Sequence, residues 1–233
     1  AFRMGALLLG LAPVVARGLR ESKGWEVSRK NPTAQASSLR SPEYRANLLR
    51  GSLVFGTVLV GLWAVFSWTP SWVQTLFATE AEARPVRGLT MILFGLGGIT
   101  GGALSGFLVK KLGLRRTLLG TFAGCLLGCW LLFGTNTQFS PLIYVETALL
   151  SLCFGVSQGA LSTFVPLLFP TAIRATATGF CFNIGRILTA TGVFFVGSLV
   201  AVFGGLGNAL LLFSLMFIVS FAVMWFEPKQ SKV

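Results

Sequence analysis

Arg186 has the clearest potential for binding chemistry, because it carries a charge near the middle of an apolar segment. It lies 12 residues after Arg174, or about 18 Å along a helix that rises 1.5 Å per residue. A cation at that depth in a bilayer costs about 2.5–3.5 kcal/mol, so it must face protein or water. Asn183 lies one turn earlier and offers a second polar group on a similar face. Two interpretations stay open. One is an ion pair, with Glu146 or with an acid in a preceding half of the protein; the other is a ligand for a substrate carboxylate, which the planar guanidinium fork suits.

Gln158, Trp63 and Glu146 are the other candidates for a functional site. Gln158 lies near the midpoint of its apolar segment and Trp63 lies 13 residues after Arg50, so both fall near the bilayer midplane. A polar side chain there fits a cavity wall, whereas a tryptophan fits either a cavity wall or core packing. Glu146 lies five residues after Pro141, about 8 Å inside the predicted outer end of the segment that holds Gln158. We predict Glu146 as the proton-coupling candidate, with a carboxylate that reaches outward to the interface as the alternative.

The residue types missing from the sequence exclude most catalytic chemistry. There is no Asp and no His, and all seven acids are Glu. This removes the usual zinc ligand sets and the Ser-His-Asp machinery. The four cysteines are scattered and include no CxxC pair. We therefore predict no enzyme, no cofactor and no metal site.

The elements that position these residues are long apolar segments. Of the 233 residues, 54% are hydrophobic and 11% charged, whereas soluble domains average about 45–50% and about 25%. A bilayer core of about 30 Å needs roughly 20 apolar residues in a helix. The sequence predicts an all-α integral membrane protein with six transmembrane helices, preceded at 1–19 by the end of another. The predicted helices cover 51–77, 88–109, 117–134, 141–169, 175–203 and 207–226.

The basic residues predict the orientation of the chain. There are 19 Lys and Arg residues against 7 acids, and 15 of the 19 lie in alternate polar segments. The intervening loops hold only Arg84 and Arg87. By the positive-inside rule, we predict a cytoplasmic linker at 20–50, a six-helix bundle at 51–226 and a cytoplasmic tail at 227–233. The basicity follows from this topology, so nucleic-acid binding is not predicted.

The chain begins at Ala1 and enters an apolar run directly. A secretory signal would show a charged region before such a run and a small-residue cleavage site after it. We expect the chain to be the second half of a longer protein, whose first half supplies part of any binding site.

Glycines recur every four residues in three of the predicted helices. Four residues is close to one turn, so each series predicts a smooth groove into which a neighbouring helix can pack. The series are Gly98, Gly102 and Gly106; Gly120, Gly124 and Gly128; and Gly155 and Gly159.

Three local patterns together resemble the carboxyl-terminal half of a major facilitator superfamily transporter. The first is similar to the cytoplasmic loop signature of that family, with Lys110 at the position of the usual Asp; it comprises Gly106, Lys110, Lys111, Gly113, Arg115 and Arg116. The second is similar to the turn of the sugar-porter and metabolite–proton symporter branches, with Leu167 in place of the usual Glu; it comprises Phe169, Pro170, Thr171, Arg174 and Gly179. The third is similar to the motif that follows the sixth helix of the family; it comprises Glu21, Ser22 and Trp25.

Two shorter stretches are similar to the organic-anion symporters of this superfamily, including sialate-type carriers. They are the Trp68–Trp72 stretch and the step from Asn183 to Arg186. The resemblance implies two six-helix bundles around a site at the midplane, each built from inverted three-helix repeats. It also implies that Arg186 binds the substrate carboxylate for this half.

From the residues and the resemblance, we predict a secondary active transporter in the plasma membrane, namely the bacterial inner membrane. It would move a small organic anion by alternating access, coupled to a proton or a sodium ion. Its partners would be the lipid bilayer, the solute, the coupling ion and the amino-terminal half of the same carrier. The predicted substrate-binding residues are Arg186, Asn183, Gln158 and Trp63. The alternatives are a membrane channel and an efflux carrier for a neutral or cationic solute.

Overall fold

The apolar segments form α-helices in the computed structural model, which describes residue 39 and residues 41–226. A bilayer offers no water to unpaired backbone N–H and C=O groups, and a helix pairs these groups within one segment. Within the described part of the chain there are eight helices and no strand: α1 (Pro42–Gln74), α2 (Glu80–Leu112), α3 (Leu114–Thr135), α4 (Leu142–Leu167), α5 (Arg174–Phe194), α6 (Val196–Phe203), α7 (Leu206–Ser214) and α8 (Met216–Trp225).

These helices make five membrane spans, or six when a bent pair is counted. Each of α1 to α4 is long and apolar enough to cross a bilayer, and α7 and α8 together form one span over Leu206–Trp225. The sixth is the pair α5 and α6, which bends by 44° at Phe195. The predicted all-α membrane fold is confirmed. The predicted end of a helix at 1–19, most of the 20–50 linker and the tail at 227–233 lie outside the described residues.

Two helices begin earlier than the hydropathy pattern predicts. The first starts at Pro42 and not at residue 51, so 42–50 of the predicted linker is helical. Proline at the first helical position and Glu43 in the first turn favour a helix start there, although the turns are polar. The second starts at Glu80 and not at residue 88, after Thr79, whose side chain accepts a hydrogen bond from the Glu82 backbone N–H. Hydropathy detects only the apolar part of each helix.

The helices pack in two layers. The front layer holds α2 against α4 and α1 against α5, and these are the two most extensive helix pairs. Behind it, α3 packs on α4, while α7 and α8 pack on α1 and on α3. A buried hydrogen bond of 2.6 Å between the Thr57 and Ser220 hydroxyls joins α1 to α8 across the layers.

Glycine contacts hold the front pair α2 and α4 together. The predicted glycines of α4 do face α2, whereas on α2 the glycines that face α4 lie in a different register from the predicted series. A Cβ at Gly101 would overlap the carbonyl oxygen of Leu152, and one at Gly155 would overlap the carbonyl oxygen of Gly98. A Cβ at Gly102 or at Gly106 would meet no atom within 4 Å. Gly102 takes part in the contact through its backbone, because its N atom lies 2.7 Å from the Cβ position of Gly155. The prediction that a side chain at Gly102 would meet α4 is wrong, because neighbouring residues of a helix point about 100° apart.

Candidate functional site

A cavity of about 560 Å³ opens between α1, α4 and α5. Its volume lies within the range of small-molecule sites, about 300–1,000 Å³. Most of the wall is apolar, and a few polar side chains converge on it. The lining residues are Phe55, Leu59, Trp63 and Ser67 from α1, Gln158 from α4, and Arg186, Thr189, Ala190 and Val193 from α5.

Arg186 reaches this cavity because the backbones of α1 and α5 cross in close contact beside it. A Cβ at Gly185 would lie 2.7 Å from Cδ1 of Phe55 and 3.2 Å from the Cα of Gly56. Two glycines at the crossing therefore bring α5 against α1. Arg186 follows directly in the chain and is exposed to the cavity.

The guanidinium of Arg186 makes no hydrogen bond or ion pair with any residue that the structure describes. The proposed ion pair with Glu146 is not formed. Glu146, near the start of α4, instead accepts at Oε2 a hydrogen bond of 2.6 Å from Nδ2 of Asn136, which follows α3. A cation inside a membrane segment needs a compensating anion or water. The cavity side of Arg186 is the place where an anion could supply that compensation.

Gln158 presents a second unsatisfied polar group to the same cavity. Its Nε2 atom is buried and has no hydrogen-bond partner among residues 41–226. A buried donor without an acceptor costs about 1–3 kcal/mol. A solute with an acceptor atom in the cavity would recover that free energy. The guanidinium is exposed to the cavity, whereas the amide nitrogen lies just beneath the cavity surface.

Aromatic rings form part of the remaining wall. The Phe55 ring stacks on Phe182 with centroids 4.0 Å apart and an interplanar angle of 15°. Trp63 is 45% exposed and meets the edge of Phe66, with centroids 5.5 Å apart. The exposed ring of Trp63, in the same cavity as a guanidinium, suits a flat solute with an anionic end.

The structure brings three of the four predicted substrate-binding residues together, namely Arg186, Gln158 and Trp63. Asn183 does not line the cavity, and its Nδ2 donates to the Gly179 carbonyl within α5. Glu146 precedes Gln158 by 12 residues, so it lies about 18 Å away along α4. Its role in proton coupling stays a prediction.

Two hydroxyl residues of the cavity were missed by the sequence analysis. Ser67 lies one turn after Trp63, and Thr189 lies one turn after Arg186. Helical spacing from residues already singled out would have found both. Thr189 is less available to a solute, because its hydroxyl donates to the Gly185 carbonyl at 2.8 Å.

Two of the three predicted motifs lie at the ends of helices and away from the cavity, and the third, at residues 21–25, lies outside the described residues. Gly113 has φ of 85°, which glycine tolerates, and it forms the turn between α2 and α3. Arg115 donates from Nε to the Met224 carbonyl at 3.2 Å and from its terminal nitrogen to the Trp225 carbonyl. In the second motif, Nε of Arg174 donates to the Phe169 carbonyl at 3.1 Å. Arg115 caps the carboxyl end of α8, and Arg174 braces the turn that follows α4.

Long apolar helices with a partly polar cavity between three of them define a multi-pass membrane protein. The model of the Major Facilitator Superfamily matches residues 1–192. The chain belongs to that superfamily, whose members are not enzymes.

Curated relatives have the names of transporters. The chain is 29% identical over 216 residues to a probable 4-methylmuconolactone transporter of Cupriavidus pinatubonensis, covering 90% of this chain and 48% of that protein. It is 26% identical to a cis,cis-muconate transport protein of Acinetobacter baylyi, covering 77% and 44%. It is 27% identical to a niacin transporter of the same organism, covering 74% and 38%. The chain thus spans about half the length of the curated relatives it matches, and these bacterial relatives support a place in the bacterial inner membrane.

Proposed function

We propose that this chain supplies one half of a secondary active transporter that moves a small organic anion by alternating access. The observation that carries the proposal is Arg186, which lines the cavity without a partner among the described residues. An anionic solute would offset its charge, and a carboxylate would match its planar fork. The other half of the carrier would close the cavity from the opposite side.

We further propose that the solute is a flat, unsaturated carboxylate. Muconate and niacin, which appear in the names of two of the relatives, both carry a carboxylate on a conjugated skeleton. The cavity combines a guanidinium with the exposed ring of Trp63 and the stacked ring of Phe55. Gln158 would donate from Nε2 to an oxygen of the solute.

The test compares an acid with its amide in the complete carrier. Wild type should bind the acid more tightly by about 1.5–3 kcal/mol, the strength of hydrogen bonds to charged groups. Arg186→Lys keeps the charge and removes the fork, so transport and acid preference should both fall while folded yield stays unchanged. Arg84→Lys, in an exposed outer position, is the matched control.

Transport by the Arg186→Lys variant at the wild-type rate, with acid preference retained, would contradict the substrate role. A loss of folded protein in that variant would assign Arg186 to structure. Each result is read from the same preparation by transport assay and thermal melting.

We propose coupling to a proton, with Glu146 as the residue that carries it. Glu146→Gln should then preserve solute exchange across the membrane but abolish accumulation driven by a pH gradient. Glu82→Gln, at an exposed position, is the control. Accumulation that persists in Glu146→Gln would leave Glu146 with only its contact to Asn136.

We also propose that the turn at residues 168–173 and the loop at 110–116 face the cytoplasm. Cysteine labelling from outside intact cells should then reach Ala81→Cys and miss Ala172→Cys, both of which are exposed. Ala83, in the same outer segment, is fully buried and would be a poor site for the probe. Labelling of Ala172→Cys from outside would reverse the orientation.

A further inference from the structure

An apolar groove runs along the outer side of the back layer, between α3 and the span formed by α7 and α8. It consists of two adjoining cavities, of about 440 and about 350 Å³, that share Ala123, Leu126 and Ile218. The one polar lining residue, Ser214, satisfies its hydroxyl with the Leu211 carbonyl of its own helix. Trp130, at one end of the groove, is 56% exposed. The groove therefore offers apolar surface with no unmet polar group.

The groove faces away from the solute cavity. The helix α3 packs behind α4, and α7 and α8 pack behind α1, whereas the cavity opens between α1, α4 and α5. No residue lines both the groove and the solute cavity. A second bundle placed over the cavity would leave the groove to the bilayer.

Cationic side chains gather at the predicted cytoplasmic end of this groove. Arg115 ties the start of α3 to the end of α8 through the carbonyls of Met224 and Trp225. Arg116 is exposed and lies seven residues before Ala123, so it is two turns away on the same face of α3. Between them, a Cβ at Gly120 would meet no atom within 4 Å, so no side chain blocks the path. Lys110 and Lys111 are also exposed at the end of α2.

We propose that the groove binds an acyl chain of an anionic phospholipid, whose phosphate contacts Arg116, while the lysines at the end of α2 add to the positive charge of the same segment. The segment 110–116 contains four cations and no acid, so it favours a headgroup with net negative charge over a zwitterionic one. A second copy of the chain fits less well. A two-fold contact through the groove would place both basic segments at the same depth, where like charges repel.

The test titrates the complete carrier in detergent with phosphatidylglycerol and with phosphatidylcholine of the same acyl chains, and native mass spectrometry counts the bound lipid. Arg116→Gln should weaken phosphatidylglycerol binding about fivefold at low salt, which corresponds to about 1 kcal/mol per basic residue, and leave phosphatidylcholine unchanged. Ala123→Leu fills the groove at an exposed position and should weaken both lipids. Arg84→Gln, at the opposite end of the bundle, should change neither.

Equal binding of the two lipids by wild type would overturn the proposal, as would unchanged phosphatidylglycerol binding in Arg116→Gln or in Ala123→Leu. A dimer that Ala123→Leu dissociates would assign the groove to a second copy of the chain and overturn the lipid assignment. The readout is independent of transport, so the proposed function can fail without affecting this result.

Discussion

Glycines make different kinds of contact in the two helix pairs of the front layer. Between α2 and α4, the Cβ positions of Gly101 and Gly155 are blocked by backbone carbonyl oxygens. Between α1 and α5, the Cβ position of Gly185 is blocked mainly by a ring carbon of Phe55. The first pair is mainly a backbone-to-backbone contact. The second combines a backbone contact, between Gly56 and Gly185, with a contact to a side chain that also lines the cavity.

This difference distinguishes a pair with little free space at its contact from a pair that borders the cavity on two sides. A backbone carbonyl moves only when its helix shifts or unwinds, so we expect α2 and α4 to move together. The α1–α5 pair leaves space beside its crossing, and the unpartnered groups of Arg186 and Gln158 lie at that space.

The largest effect is expected for an added methyl group between α2 and α4. Gly101→Ala would drive a Cβ into the Leu152 carbonyl, which costs about 3 kcal/mol, at the upper end of overpacking penalties. Gly102→Ala, one residue further, has open space and should gain up to about 1 kcal/mol from helix propensity. Folded yield and melting temperature in detergent measure both. Greater damage from Gly102→Ala than from Gly101→Ala would show that the described register is wrong.

A smaller loss of stability and a larger loss of function are expected at the other crossing. Gly185→Ala would push the Phe55 ring, which can rotate, so we expect a cost of about 1 kcal/mol. The displaced ring would narrow the cavity beside Arg186, so affinity for the solute should fall more than stability does. The control is Gly179→Ala, in the same helix, where a Cβ meets nothing within 4 Å. If solute affinity is unchanged while stability falls, the crossing has only a packing role.

The smallest effect on stability is expected at Gln158. Gln158→Leu removes a buried donor that has no acceptor among the described residues, so the melting temperature should stay constant or rise slightly. Solute affinity should fall by about 1.5–3 kcal/mol if the amide donates to a carboxylate. Gln138→Leu, exposed outside the bundle, is the comparison variant. A lower melting temperature for Gln158→Leu would show that the amide has a partner in the complete carrier.

The sequence predicts the spans well because hydrophobicity alone decides them. The sequence could not predict the start of α1 at Pro42, because the first turns contain polar residues, Glu43, Arg45 and Asn47, and so show no apolar pattern. Asn47 is used in packing, where Nδ2 donates to the Leu168 carbonyl at 2.9 Å. It also could not predict the glycine register, because a four-residue repeat defines a stripe without saying which stripe faces the neighbour.

For the candidate site, the sequence could predict how deep each residue lies in the membrane, but not the direction in which its side chain points. Arg186, Gln158 and Trp63 were each placed near the midplane by counting residues from the helix ends, and they share one cavity. Asn183 lies only one turn from Arg186, but its amide is occupied by the Gly179 carbonyl. Whether a polar side chain serves its own helix or a cavity depends on a local backbone bond that residue spacing does not report.

The hydrogen bonds of Arg115 also bear on how the bundle is made. Their acceptors, Met224 and Trp225, lie 109 and 110 residues further along the chain. At a synthesis rate of about 5–20 residues per second, the ribosome needs about 5–20 s to add them after Arg115. During that interval these two carbonyl acceptors do not exist, so the guanidinium must form its hydrogen bonds with other groups, such as water or lipid headgroups. The contact between the start of α3 and the end of α8 can therefore form only after the last turn of α8 has been synthesised, so the back layer is completed late in biogenesis.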